Sequence, residues 1–130
     1  MGIEDIKQRY ESTFGKFPES VQKRFELAKL ADRLESIFEV ESLRKTLLAE
    51  NPLPTKIQQL VHFGQLLALG AYEPAEMHAK AAVKAGATPA EMMGVLETTL
   101  ITAGMPRFSK GVEIVAAIFV QEATGGRTDE

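Results

Sequence analysis

Two histidines, His62 and His78, are the side chains of this sequence whose type and position could carry out chemistry. On a helix that starts near Pro74, His78 would share a face with Ala81 and Ala82. Alanine is too small to fill the space around an imidazole, so this face could line a pocket. Because imidazole titrates at about pH 6.5, His78 is the candidate catalytic residue, acting in proton transfer. The alternative is a buried structural histidine whose ring is satisfied by one backbone carbonyl.

Three side chains are candidates for binding a substrate: Gln59, His62 and Arg107. Gln59 and His62 lie one helical turn apart, so both could approach a shared polar pocket; the alternative is a solvated helix face. Arg107 follows a Gly-Met-Pro turn and could meet an anionic ligand; the alternative is a surface arginine. No carboxylate stands at ligand spacing from either histidine and no H-E-x-x-H occurs, so the sequence predicts no metal site.

Several other chemistries are excluded by the residues present. The chain has no cysteine, which excludes a thiol nucleophile. It has neither a G-x-G-x-x-G nor a Walker loop for nucleotides, and no serine in a nucleophile elbow. We expect no cofactor. The acids near His78 are explained by helix stability, since Glu91 and Thr88 form a capping box and Glu76 is spaced to pair with Lys80.

Composition places the chain among ordinary globular proteins. It has 130 residues, 45% hydrophobic and 25% charged, with a net charge of -3. No basic run exceeds two residues, which argues against binding to nucleic acid or to an anionic membrane. The charged N-terminus lacks the apolar core of a signal peptide, and no stretch approaches the roughly 20 apolar residues of a membrane span. We therefore expect a soluble, cytoplasmic protein.

Prolines and glycines divide the chain into helical segments. Five prolines precede helix-compatible runs, as expected of the first helical position: Pro18, Pro54, Pro74, Pro89 and Pro106. The pattern predicts seven helices, over residues 3–14, 18–32, 34–50, 54–71, 74–85, 89–103 and 106–123. No segment shows the two-residue alternation of a strand. We expect one all-α domain over residues 1–124 and a disordered tail over residues 125–130.

Two of these helices carry more apolar surface than one small domain readily buries. In the segment 54–71, apolar residues cover well over half of the helix circumference. The last helix, 106–123, adds a second broad apolar face. Such faces on a short chain favour assembly, so the sequence predicts a homo-oligomer.

Four segments resemble, in order and spacing, the carboxymuconolactone decarboxylase and alkyl hydroperoxidase D superfamily. They are the aromatic-rich residues 10–18, the helix start at 53–60, the histidine helix and Gly-x-Thr-x-x-Glu of 78–91, and the Ala-Gly-Met-Pro of 103–106. The resemblance implies an alkyl hydroperoxidase D-like fold of about six to seven helices. It also implies a homo-oligomer, commonly a hexamer, with a pocket near the histidine helix.

The resemblance also bears on the reaction. The peroxidase branch carries a Cys-x-x-Cys pair where this chain has Ala71 and Pro74, so thiol peroxidase activity is not expected. The decarboxylase branch needs neither cysteine nor cofactor. It implies a carboxy-lyase of the 4-carboxymuconolactone decarboxylase type, which acts on a small anionic, lactone-type acid with His78 as proton donor. The family's glutamate on the preceding helix is matched here by Gln59, and an amide cannot act as a carboxylate base. The alternative is therefore a non-catalytic oligomeric binding or accessory protein on the same scaffold.

Overall fold

The computed structural model describes residues 2–123, with side chains to residue 120, and the regular secondary structure in this part of the chain is all helical. The helices are α1 Ile3–Phe14, α2 Glu19–Leu30, α3 Leu34–Arg44, α4 Thr55–Leu69, α5 Tyr72–Lys84, α6 Pro89–Ala103 and α7 Met105–Ala123. α3 continues into one π-helical turn, Lys45–Ala49, closed by a hydrogen bond from Glu50 N to Lys45 O of 3.0 Å. Seven helices without a strand in the described residues confirm the predicted all-α class.

The chain divides at Pro54 into two compact units, Met1–Leu53 and Pro54–Glu130. The first unit contains α1 to α3, and its core is formed by Ile6, Tyr10, Val21 and Phe25. Tyr10 and Phe17 pack edge to face there, with their ring centroids 5.7 Å apart, a favourable geometry for aromatic rings. The single domain over residues 1–124 stays a prediction, and the predicted tail, 125–130, lies outside the described residues.

The second unit contains α4 to α7, and α4 is its central helix because it packs against α5, α6 and α7. Phe63 and Leu67 of α4 are fully buried, together with Met92 and Leu96 of α6. Gly111 lets α7 approach this core, since a methyl group there would lie 2.5 Å from the side chain of Leu67. Part of the broad apolar surface predicted for residues 54–71 is thus buried by other helices of the same chain.

Local signals set most of the helix ends. The predicted capping box is present at the start of α6, where Glu91 N donates to Thr88 Oγ1 at 3.1 Å and Thr88 N donates to Glu91 Oε1 at 2.9 Å. Gly70 ends α4 with the left-handed φ of 76° that glycine tolerates best. The prediction that Pro74 opens α5 is wrong, because the helix begins at Tyr72 and Pro74 stands third in its first turn. Proline fits there as well, since the first-turn N–H groups have no partner within the helix.

None of the described helices is both long enough and apolar enough to cross a membrane. The predicted cytoplasmic location and the predicted homo-oligomer stay predictions. Part of the apolar surface of α4 does remain exposed, since Ile57 is 39% and Val61 45% accessible.

Candidate functional site

His78 and Gln59 form the centre of the candidate site, and two packed helices, α5 and α4, position them. The Nδ1 atom of His78 lies 2.6 Å from Oε1 of Gln59, and both residues are buried. An amide oxygen can only accept a hydrogen bond, so Nδ1 of His78 carries the proton and donates it. This contact sets the orientation of the His78 ring.

His62 joins this pair from the next turn of α4. Its ring centroid lies 3.8 Å from that of His78, with 39° between the ring planes. His62 is half-buried rather than on a fully solvated face, because the helix turns its ring toward α5. The structure therefore brings together three of the four side chains that the sequence singled out: Gln59, His62 and His78.

Alanine makes this close approach possible. Ala75, Ala79 and Ala82 on α5 are fully buried against the core of the Pro54–Glu130 unit. Side chains of this size let the backbones of two helices come near each other, so the longer side chains between them meet directly. The alanine-lined face inferred from the sequence is thus a packing face, and His78 lies at its margin with 7% of its surface accessible.

Arg107 occupies a different place. Its guanidinium donates a hydrogen bond of 2.8 Å to the hydroxyl of Tyr72 and lies 5.8 Å from the centroid of the same ring. It also packs on Gly70, where a methyl group would lie 2.9 Å from Arg107 Cζ. Tyr72 precedes His78 by six residues on α5, about 9 Å along a helix. The contacts described for Arg107 place it at the start of α5, apart from the two histidines.

The acids near the site have the structural roles expected of them. Glu76 pairs with Lys80 at 3.3 Å on the exposed side of α5. Glu91 belongs to the capping box and also binds Lys56 at 3.0 Å. The Thr88 backbone N–H and then the Lys56 ammonium hold the pKa of Glu91 below its usual range. Among the described residues, no three histidine, acidic or cysteine side chains are grouped so that they could hold a metal ion.

One buried charged residue was missed by the sequence reasoning. Glu41 on α3 is fully buried, accepts a hydrogen bond of 2.9 Å from the Tyr10 hydroxyl, and lies 3.9 Å from both Arg9 and Arg24. Its spacing held a signal, because it falls one helical turn after Ile37 and Phe38, which pack on the same core. An acid in register with an apolar face indicates a buried, partnered carboxylate.

The Pro54–Glu130 unit is thus an all-α bundle in which a histidine of α5 is held by a polar side chain of α4. The sequence model of the carboxymuconolactone decarboxylase family matches residues 40–126, more than half of the chain. The chain belongs to this family, which confirms the resemblance seen in the sequence. The matched range contains Gln59, His62, His78 and Arg107.

One relative is similar over part of the chain. A protein of Methanocaldococcus jannaschii described as uncharacterized is 33% identical over 79 residues, which cover 61% of this chain and 74% of the relative. No solved structure matches this chain significantly. The comparisons thus support the family and leave the reaction to be argued from the site.

Proposed function

We propose that this protein is a cofactor-independent, decarboxylase-like enzyme that acts on a small anionic acid of the lactone type. The observation that carries the proposal is the 2.6 Å contact between His78 and Gln59, which orients a buried imidazole on the histidine helix of this family. His78 is the proposed proton donor. Gln59 holds the ring, His62 contributes a second imidazole, and Arg107 is the cation available to an anionic ligand near the start of α5.

The proposed reaction needs one bond cleavage and one proton transfer. The bond between the ring carbon and the carboxylate breaks, CO₂ leaves, and the electron pair delocalises into the unsaturated lactone as a dienolate. The imidazolium of His78 then gives the proton on Nε2 to carbon, and His78 takes a proton from solvent to restore the acid. A positioned proton donor of this kind contributes about 10²- to 10⁴-fold to the rate.

Gln59 limits how His78 can be recharged. A glutamate in this place could store a proton, whereas an amide oxygen only accepts the Nδ1–H hydrogen bond. The proton must therefore return to His78 through Nε2 or through the neighbouring ring of His62. Because His62 is half-buried and His78 is buried, His62 is the histidine with the better access to solvent.

The test is release of CO₂ from 4-carboxymuconolactone by the purified protein and by His78→Asn. The wild-type protein should release CO₂, and the variant should lose at least 100-fold in rate while its circular dichroism spectrum stays unchanged. Glu76→Gln, an exposed change two residues away on α5, is the matched control and should keep full activity. Equal rates for His78→Asn and the wild type would reject His78 as the donor.

A second candidate function is a non-catalytic binding or accessory protein, and the amide at position 59 favours it. In that case the contact from His78 to Gln59 is structural, since buried polar side chains need hydrogen-bond partners. His78→Asn would then lower the free energy of unfolding, by about 1–3 kcal/mol, and no lactone acid would be turned over. Measuring unfolding and turnover on the same variant separates the two functions.

We also propose that the functional state is a homo-oligomer, with a hexamer as the expected size. Exposed apolar side chains at Ile57, Val61 and Leu69, spaced along α4, support assembly through this helix. Light scattering after gel filtration should give a mass several times that of one 14.3 kDa chain. Val61→Glu should reduce that mass, because it places a charge in the apolar stripe. A monomeric wild type would reject the assembly.

A further inference from the structure

Two cations of α7 converge on one tyrosine at the start of α5. The guanidinium of Arg107 lies 5.8 Å from the centroid of the Tyr72 ring, and the Nζ atom of Lys110 lies 5.7 Å from the same centroid. The two basic residues stand three positions apart on α7, so they project from one face of that helix. We call these three side chains, Tyr72, Arg107 and Lys110, the basic cluster.

Arg107 is held in the basic cluster from two sides. Its Nη1 atom donates a hydrogen bond of 2.8 Å to the Tyr72 hydroxyl. Its guanidinium also covers Gly70, where a methyl group would lie 2.9 Å from Cζ and 3.0 Å from each Nη atom. Glycine at position 70 therefore leaves the space that the guanidinium occupies. Because a side chain held in this way loses little conformational freedom on binding, Arg107 is better suited to bind a ligand than a mobile surface arginine.

Among the described residues, no carboxylate forms an ion pair with either cation of the basic cluster. In the two segments that meet at this end of the unit, residues 66–72 and 98–110, Arg107 and Lys110 are the only charged residues of the sequence. The nearest acid along the chain is Glu73, whose side chain is exposed. Two positive charges on one helix face repel each other, so an anion bound beside both of them would be favoured.

The three groups of the basic cluster suit a phosphate group better than a single carboxylate. Arginine offers a planar fork of N–H donors that matches two phosphate oxygens, and lysine adds a compact positive charge. The hydrogen bond to Tyr72 uses only Nη1 of Arg107, and the tyrosine hydroxyl that accepts it still has its own proton to donate. A phosphate monoester carries a charge of about −1.5 to −2 at pH 7, which balances two cations.

We propose that the basic cluster is a binding site for a phosphate group, carried by a small organic ester or present as the free ion. Arg107 contributes the fork of donors, Lys110 the second positive charge, and Tyr72 a hydroxyl donor. The site goes beyond the proposed function, because it needs neither His78 nor turnover of a lactone acid. Tyr72 and His78 are about 9 Å apart along α5, so the phosphate site is a second ligand position in this unit.

Calorimetric titration with phenyl phosphate and with inorganic phosphate tests the proposal at pH 7.5. Phenyl phosphate should bind at one site per chain, and benzoate, which has a single charge on the same ring, should bind at least about threefold more weakly. Tighter binding of phenyl phosphate than of inorganic phosphate identifies an ester as the ligand, whereas equal affinities identify the free ion. No binding of either phosphate at concentrations up to about 10 mM overturns the proposal, as does equal binding of benzoate.

Three variants locate the bound phosphate. Arg107→Gln should weaken the binding of phenyl phosphate at least about tenfold, because it removes charged hydrogen-bond donors from a half-buried position. Lys110→Gln removes an exposed charge and should weaken it about threefold. Tyr72→Phe should also weaken binding about threefold although it leaves the charge unchanged, because it removes the hydroxyl and frees Arg107.

Lys16→Gln is the matched control, since it makes the same change in charge as Lys110→Gln at an exposed position of the Met1–Leu53 unit. It should bind phenyl phosphate like the wild type. Equal losses in Lys16→Gln and Lys110→Gln would indicate a general attraction of anions to the protein and would overturn the proposal. Unchanged affinity in Lys110→Gln and Tyr72→Phe, with unchanged circular dichroism, also overturns it, even if Arg107→Gln fails to fold. The titrations contain no lactone acid, so their result is independent of whether the protein releases CO₂.

Discussion

Tyr10→Phe should lower the free energy of unfolding by about 2 kcal/mol, because it removes the hydrogen bond to a buried charge. The Tyr10 hydroxyl lies 2.9 Å from Oε2 of Glu41, a carboxylate with no accessible surface. Hydrogen bonds to charged groups contribute about 1.5–3 kcal/mol. Arg24 lies 3.9 Å from the same oxygen and can compensate in part, so the upper end of that range is not expected. Phenylalanine keeps the ring packing, so the change isolates the hydroxyl.

The surroundings of Glu41 explain why Tyr10→Phe should lower the free energy of unfolding by this much. Its second oxygen, Oε1, already has no hydrogen-bond partner among the described residues. Without Tyr10 the carboxylate would keep only its two arginine contacts, both at 3.9 Å. A double-mutant cycle with Glu41→Gln should therefore give a coupling of at least about 1 kcal/mol, since the two groups contact each other directly.

The assay is urea unfolding followed by far-ultraviolet circular dichroism at one fixed protein concentration. Tyr72→Phe is the matched control, because that hydroxyl accepts from Arg107 in a half-buried place and should cost less than about 1 kcal/mol. If Tyr10→Phe costs less than about 0.5 kcal/mol, or no more than Tyr72→Phe, the reasoning about the buried carboxylate is wrong.

Three further predictions concern stability. Burial raises the pKa of Tyr10, so the unfolded chain releases the hydroxyl proton at a lower pH than the folded chain does. The free energy of unfolding should therefore fall as the pH rises above about 10. Tyr10→Phe should reduce this fall, as measured by urea unfolding at pH 9 and pH 11. Thr88→Ala should cost about 1 kcal/mol through loss of the α6 cap, whereas Thr98→Ala, exposed within the same helix, should stay within about 0.5 kcal/mol; equal effects would contradict the capping role. Gly70→Ala should lower stability by at least about 1 kcal/mol, because φ is 76° and the methyl would meet Arg107; an unchanged urea midpoint would refute this.

Much of the helical architecture could be predicted from short-range signals. The capping box of Thr88 and Glu91 acts within four residues, so its effect did not depend on the rest of the chain. The start of α5 shows the limit of such short-range signals. Pro74 is compatible with several first-turn positions, and the helix extends back to Tyr72, whose hydroxyl is hydrogen-bonded to Arg107 of α7.

The candidate site was predictable in its members and not in its geometry. Gln59, His62 and His78 could be named from residue type, spacing and family resemblance, yet a solvated face explained His62 as well. Helical periodicity predicts on which face of its helix a residue lies. How deeply that residue is buried depends on which other helix packs over the face. Arg107 shows the same limit, because the packing of α7 directs it to Tyr72 rather than to the two histidines.

The sequence by itself determined the helical class and the family, because these follow from local patterns and from the residue types present. Only the tertiary structure decided that two histidines sixteen positions apart have ring centroids 3.8 Å apart, and that Glu41 is a buried acid held by α1 and α2. The physical reason is that these contacts join different helices. The distance between the two histidines depends on how closely small residues such as Ala79 and Ala82 let α4 and α5 approach, which is a property of the packed pair and not of either segment alone.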